Sequence, residues 1–179
     1  TEAELVDLFT LRAPRLDRVA RTAYLRLINH APGLWAAAYR WLDRSPLAPR
    51  LLRALPGHAR LLARLLREKQ PHALCCTYPV YPWLLAELRA AGVAVPPVFT
   101  VVTDALSINS LWFRAPSERW FVTDADSAAL LHAAGLAPDR VEVSGFPVAP
   151  AFADRDPRLQ PPDPATTRQR RILYMINSG

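Results

Sequence analysis

After Pro71 the chain changes period, and short apolar runs alternate with helical stretches at intervals of roughly 20–25 residues. The runs are Ala73–Thr77 (ALCCT), Val98–Thr103 (VFTVVT), Trp120–Thr123 and Val141–Ser144. Between them lie a helix-like Trp83–Ala91 ending at Gly92, and Asp124–Ala134, which opens on an Asp N-cap and closes on Gly135. Val98–Thr103 is β-branched and uncharged, as expected of a strand buried on both faces. Strands linked through helices pair in parallel, so the pattern predicts an α/β fold with helices on both faces of a parallel sheet.

The first 70 residues read differently. Ala3–Phe9 alternates as a short strand does. Asp17 is placed to cap a helix running to about His30, where Ala31-Pro32-Gly33 breaks it. Leu34–Asp43 follows as a second helix, ended by Ser45-Pro46. A third stretch, Pro49–Gln70, sets Leu51, Leu55, Leu62 and Leu65/Leu66 on one face, with Pro56-Gly57 expected to kink or split it. Arg50, Arg53, Arg60, Arg64 and Arg67 run along its flank. At the other end, Asp154–Arg170 is rich in Pro, Asp, Arg and Thr and reads as a linker. Arg171–Ile176 (RILYMI) then starts a new strand. The expected division is one domain over 1–153, a linker over 154–170, and the first strand of a second domain over 171–179. With 179 residues starting in mid-pattern at Thr1, the chain reads as a piece of something longer.

The charge is concentrated. Of 22 basic residues only Lys69 is a lysine, and the formal charge is +6. Residues 1–70 hold 13 basic groups against six acids, whereas the remainder has one acid in excess. Such asymmetry marks a surface with an anionic partner, either nucleic acid or a lipid headgroup layer. Other classes are excluded. Cys75 and Cys76 are adjacent and lack C-x-x-C spacing, so they read as small apolar residues of a buried strand rather than a disulfide, zinc or redox site. His30, His58, His72 and His132 are scattered without metal-ligand spacing, and neither metal nor cofactor is expected. No uncharged apolar run is long enough to span a bilayer.

In an open parallel sheet ligands bind beyond the carboxyl ends of the strands. Three such ends carry polar groups here: Thr77-Tyr78-Pro79, Thr103-Asp104 and Ser144-Gly145-Phe146-Pro147. Asp104 is the most pointed. A carboxylate there can orient a hydroxyl, act as a base or hold a catalytic histidine; equally, it can cap the turn that follows.

The run Val101–Phe113 (VVTDALSINSLWF), with Arg119–Thr123 (RWFVT) and Val141–Val148 (VEVSGFPV), resembles the monogalactosyldiacylglycerol synthases and the related processive diacylglycerol glucosyltransferases. Asp7-Leu8-Phe9, Leu34-Trp35, Tyr39-Arg40 and Phe152 fit the same order. The resemblance implies the N-terminal, Rossmann-like acceptor domain of a two-domain GT-B glycosyltransferase. A hexose would pass from a UDP-sugar to a lipid such as diacylglycerol. Asp104 would be catalytic, and Thr77, Tyr78, Asn109 and Trp112 would line the acceptor site. Gly145 and Pro147 would shape the loop toward the donor, and Ser178-Gly179 would begin the turn that meets the donor diphosphate. Two departures bear on the acceptor: Thr77-Tyr78-Pro79 stands where relatives have Thr-His-Pro, and Ser107–Ser110 lacks the usual histidine near Asn109. The histidine of the family's Gly-rich loop would lie upstream of Thr1.

A lipid acceptor gives the basic N-terminal region a task. Trp35, Tyr39 and Trp41 would sit at headgroup depth, and Arg50, Arg53, Arg60, Arg64 and Arg67 would meet an anionic membrane at the cytoplasmic face. The alternative is that the leucines cover the sheet while the arginines face water. Two further alternatives are a basic α/β module on nucleic acid and a GT-B-fold nucleotide-sugar epimerase. No nucleic-acid motif interleaves aromatics with the arginines, so a nucleic-acid partner is not expected.

Overall fold

In the computed structural model the described residues are 3–45, 56–104 and 108–148. Among the described residues four helices precede the first strand: α1 (Leu8–Arg12), α2 (Pro14–His30), α3 (Pro32–Arg44) and α4 (Pro56–Lys69). The rest alternates as β1 (Leu74–Cys76), α5 (Val80–Ala90), β2 (Val98–Val101), α6 (Leu111–Arg114), β3 (Arg119–Val122), α7 (Ala125–Ala133) and β4 (Val141–Val143). The strands form one sheet in the order β1-β2-β3-β4, and every pair is parallel. The four strands expected between Pro71 and Ser144 are all present. Compact packing runs through Phe146, and Pro147 begins a second unit.

Sequential order has a consequence for the layers. Right-handed crossovers that all step in one direction place all their helices on the same side. The register puts Leu74, Cys76, Val98, Thr100, Trp120, Val122 and Val141 on that side, and the buried clusters draw their sheet residues from it. On the reverse face Cys75 is exposed, Phe99 and Phe121 lie 6.3 Å apart, and Arg119 pairs with Glu142 at 2.9 Å. Helices on both faces, and a β2 buried on both faces, are therefore not found among the described residues. The adjacent cysteines divide accordingly, Cys76 inward and Cys75 outward.

Two N-terminal expectations also change. Ala3–Phe9 does not form a strand: Asp7 Oδ1 accepts the N–H groups of Phe9 and Thr10 at 3.0 and 3.3 Å and starts α1 instead. Local capping by an Asp outweighs the two-residue alternation here. α2 opens at Pro14, whose fixed φ suits the first helical position, so Asp17 sits in its first turn rather than capping it. α4 starts at Pro56, as a split at Pro56-Gly57 would have it, and the earlier part of the expected Pro49–Gln70 stretch lies outside the described residues. Leu62 and Leu66 of α4 are buried against Leu84 and Leu88 of α5, while Arg60, Arg64 and Arg67 face water. Leu51, Leu55, Arg50 and Arg53 lie outside the described residues.

The predicted helix stop at Gly135 is observed, with φ +96°, a backbone conformation that any side chain would strain. Asp124 caps the same helix through the Ser127 N–H at 2.7 Å.

Candidate functional site

Because the sheet is wholly parallel, the carboxyl ends of all four strands lie along one rim. Asp104 stands three residues beyond β2, half-buried. Its Oδ2 accepts a 2.8 Å hydrogen bond from the phenol of Tyr39 on α3. Burial, followed by the hydrogen bond and the charges of Asp104 and Asp43, pushes the Tyr39 phenol well above its ordinary value. It therefore stays protonated and donates to the carboxylate.

The segment that follows Asp104 is fixed from α3 as well. Asn109, only 5% exposed, donates from Nδ2 to the Tyr39 carbonyl at 3.4 Å and accepts the Leu111 N–H at 3.0 Å. Asp43, one turn beyond Tyr39, accepts the Ser110 N–H at 2.6 Å, and its carbonyl accepts the Ser110 hydroxyl at 2.8 Å. Two indoles hold the next turn through its backbone. Trp83 Nε1 donates to the Leu111 carbonyl at 3.1 Å, and Trp120 Nε1 donates to the Trp112 carbonyl at 3.0 Å. The Trp112 side chain is 3% exposed and packs with Val102, Trp120, Val122 and Leu131. Among the described residues the site therefore consists of one carboxylate, one phenol and the polar pair Asn109 and Ser110, held together by α3.

Beyond β1, Thr77 is exposed and Tyr78 belongs to a neighbouring cluster. Phe9, Tyr78 and Tyr81 meet pairwise with ring centroids 5.7–6.0 Å apart, and His58 lies 4.7 Å from Phe9. Asp7 supports this cluster, accepting from Tyr81 at 3.4 Å and pairing with Arg21 of α2 at 2.8 Å. Burial raises the Tyr78 phenol, with the nearby Tyr24 adding to the effect. Tyr24 in turn meets Trp35 at 5.0 Å, and Trp35 meets Tyr39 at 6.0 Å. A line of rings thus leads from exposed α2 to Asp104.

Gly145 follows β4 with φ +82°, turning the chain at the same rim, and Pro147 is exposed. Ser178 and Gly179 lie outside the described residues, as do the expected strand Arg171–Ile176 and the whole 154–170 linker. Trp41 is exposed on α3 and Trp35 is half-buried. Sequence reasoning missed Asp43, whose spacing of four from Tyr39 was its only signal, and missed that Tyr39 faces Asp104. Among the described residues no three His, Cys, Asp or Glu side chains are grouped to hold a metal ion. No described helix is long and apolar enough to cross a membrane.

Residues 1–148 match the family described as monogalactosyldiacylglycerol (MGDG) synthase. The chain belongs to that family. Its four-stranded parallel sheet with flanking helices fits the N-terminal, Rossmann-like half of a GT-B glycosyltransferase. An uncharacterized glycosyltransferase, YkoN, of Bacillus subtilis (strain 168) is 27% identical over 152 residues, covering 84% of this chain and 40% of the relative. The processive diacylglycerol beta-glucosyltransferase of the same organism is 30% identical over 97 residues, covering 54% of this chain and 24% of the relative. The chain thus spans less than half the length of the curated relatives it matches.

Proposed function

We propose that this chain is the acceptor-binding part of a membrane-associated glycosyltransferase that moves a hexose from a UDP-sugar to a lipid hydroxyl such as that of diacylglycerol. The observation that carries the proposal is the Asp104 carboxylate, held by Tyr39 at the carboxyl end of β2 in a member of the MGDG synthase family. In the transfer the acceptor oxygen bonds to the anomeric carbon, the bond from that carbon to the donor diphosphate breaks, and UDP leaves. The hydroxyl proton must go to a base. With Oδ2 engaged by Tyr39, Asp104 has Oδ1 to receive the hydroxyl or to orient a histidine that takes the proton.

Thr77, Tyr78, Asn109 and Trp112 would shape the acceptor side, Asn109 and Trp112 by fixing the loop rather than by touching the lipid. Gly145, Pro147, Ser178 and Gly179 would serve the donor side, with residues 171–179 opening the donor domain after the 154–170 linker. The acceptor sits in a bilayer, so the enzyme would work at the cytoplasmic face of the cell membrane, with Trp35 and Trp41 near headgroup depth.

The test is a product assay with full-length protein, UDP-glucose or UDP-galactose, and diacylglycerol in mixed micelles. A new glycolipid and stoichiometric UDP are expected, with kcat falling about a hundredfold or more in Asp104→Asn. Sugar transfer that is undiminished in Asp104→Asn would remove Asp104 from the mechanism. Failure of either donor to label any lipid would remove the acceptor class.

A further inference from the structure

We propose that Asp43 is a positioning residue for the sugar transfer, holding through Ser110 the polar turn against which the acceptor hydroxyl is presented to Asp104. The proposal rests on the transfer reaction proposed above and adds to it a residue that touches none of the reacting atoms. Asp43 and Ser110 are joined twice. Asp43 Oδ1 accepts the Ser110 N–H at 2.6 Å, and the Asp43 carbonyl accepts the Ser110 hydroxyl at 2.8 Å. Arg114 of α6 adds longer bonds, 3.4 Å from Nη1 to the same carbonyl and to the Ser110 Oγ.

Each half of this arrangement departs from what its own helix would choose. A serine directly before a helix ordinarily turns its hydroxyl to that helix's first N–H groups. Ser110 makes no such bond and gives its hydroxyl to α3 instead. An acid near the end of a helix meets the negative pole of its dipole, so α3 gains nothing locally from Asp43. Nor is the pair required for attachment, because Leu42 already packs α3 against Trp83, Leu111 and Ala115. What the pair adds is direction, since the N–H and the hydroxyl of one residue are both fixed.

The direction matters because of what the same helix holds one turn earlier. Tyr39 gives its phenol to Asp104 and its carbonyl to Asn109 Nδ2. Residues four apart share one face of a helix and stand about 6 Å apart along its axis. A single turn of α3 therefore sets where Asn109 and Ser110 stand relative to the Asp104 carboxylate. In a parallel sheet this is the rim at which ligands bind. Asp43 and Ser110 are half-buried and line an open cleft with Trp83, Phe113 and Arg114, so a released turn has room to shift. Groups that position a substrate act through geometry, and their displacement is felt first by the substrate they orient.

The experiment is steady-state kinetics of full-length protein with diacylglycerol in mixed micelles and UDP-glucose or UDP-galactose, acceptor and donor varied in turn. Asp43→Ala removes the carboxylate, Asp43→Asn keeps an oxygen for the Ser110 N–H, and Ser110→Ala removes only the hydroxyl. Asp43→Ala should raise the acceptor KM on the order of tenfold and leave the donor KM unchanged, and Asp43→Asn should recover most of that loss. Ser110→Ala should move the acceptor KM in the same direction by a smaller factor. A protein that is merely destabilised lowers kcat in proportion to its folded fraction and keeps both KM values. That pattern in Asp43→Ala, an equal rise in the donor KM, or wild-type kinetics overturns the proposal. If Asp43→Ala does not fold by circular dichroism, Ser110→Ala decides by the same acceptor KM. Wild-type protein that labels no lipid from either donor removes the transfer reading itself and the proposal with it, so the two failures are told apart.

Discussion

The phenol of Tyr39 and the carboxylate of Asp104, 65 residues apart in sequence, meet at 2.8 Å where α3 crosses the carboxyl end of β2. The contact ties α3 to the proposed catalytic carboxylate beyond β2. The same helix also holds Asn109 and Ser110, through the Tyr39 carbonyl and the Asp43 carboxylate.

Tyr39→Phe should separate the hydroxyl from the ring. The ring keeps its contact with Trp35, while Asp104 loses its donor. A hydrogen bond to a charged group at a partly buried site is worth about 1–2 kcal/mol, and urea unfolding should show a loss of that order. Transfer activity should also fall, because the carboxylate is no longer held in one orientation. A variant with wild-type midpoint and wild-type kcat would show that the contact neither holds nor aims Asp104.

Acid should loosen the N-terminal helices before the sheet. Burial pushes the Asp7 carboxyl up, but the hydrogen bonds from Thr10 and Phe9 and the charge of Arg21 outweigh it and hold it below its ordinary value of 3.8. A depressed folded value means that the stabilisation is complete above the unfolded value and is lost as pH falls through the folded one. Protonation below about pH 4 therefore weakens the α1 cap and the tie to α2. Hydrogen exchange across pH 3–6 should show protection falling in α1 and α2 first, and Asp7→Asn should flatten that dependence. Equal loss in β2 and β3 at the same pH would contradict it.

The two cysteines should differ in reactivity although they are adjacent. Cys75 is exposed, whereas burial, with Cys75 adding to it, pushes the Cys76 thiol up to about 12. Only the thiolate is nucleophilic, so Cys76 is shielded by both access and protonation. Maleimide at pH 7.5 should add once to the native protein and twice in denaturant, read by mass spectrometry. Two rapid additions to the native protein would mean that β1 does not pack as described.

Much of the sheet could be read in advance because buried parallel strands announce themselves locally. Val98–Val101 and the Trp120–Val122 part of β3 are short apolar runs, and Asp124 with Gly135 brackets α7 by side-chain chemistry alone. Asp104 was legible for the same reason, as the first charge after such a run. What could not be read were relations across sequence. The Tyr39–Asp104 contact depends on how α3 crosses the sheet, and nothing near Tyr39 announces it. The open reverse face is a property of strand order, which composition does not encode. At Asp7 two local rules competed, alternation against side-chain capping, and the stronger hydrogen bonds won.

Strand order has one more consequence, for how such a chain can change. With every crossover stepping the same way, the helical layer packs on one face of the sheet, while residues 77–79, 103–104, 108–110 and 144–146 lie beyond the carboxyl ends of its strands. Thr77 and Tyr78 at that rim are exposed, unlike Val102 and Asn109, so a Thr-His-Pro exchange at 77–79 should leave the melting temperature nearly unchanged, and product analysis then shows whether acceptor preference moves with it. If it does, substrate choice and foldability are carried by different residues of one rim.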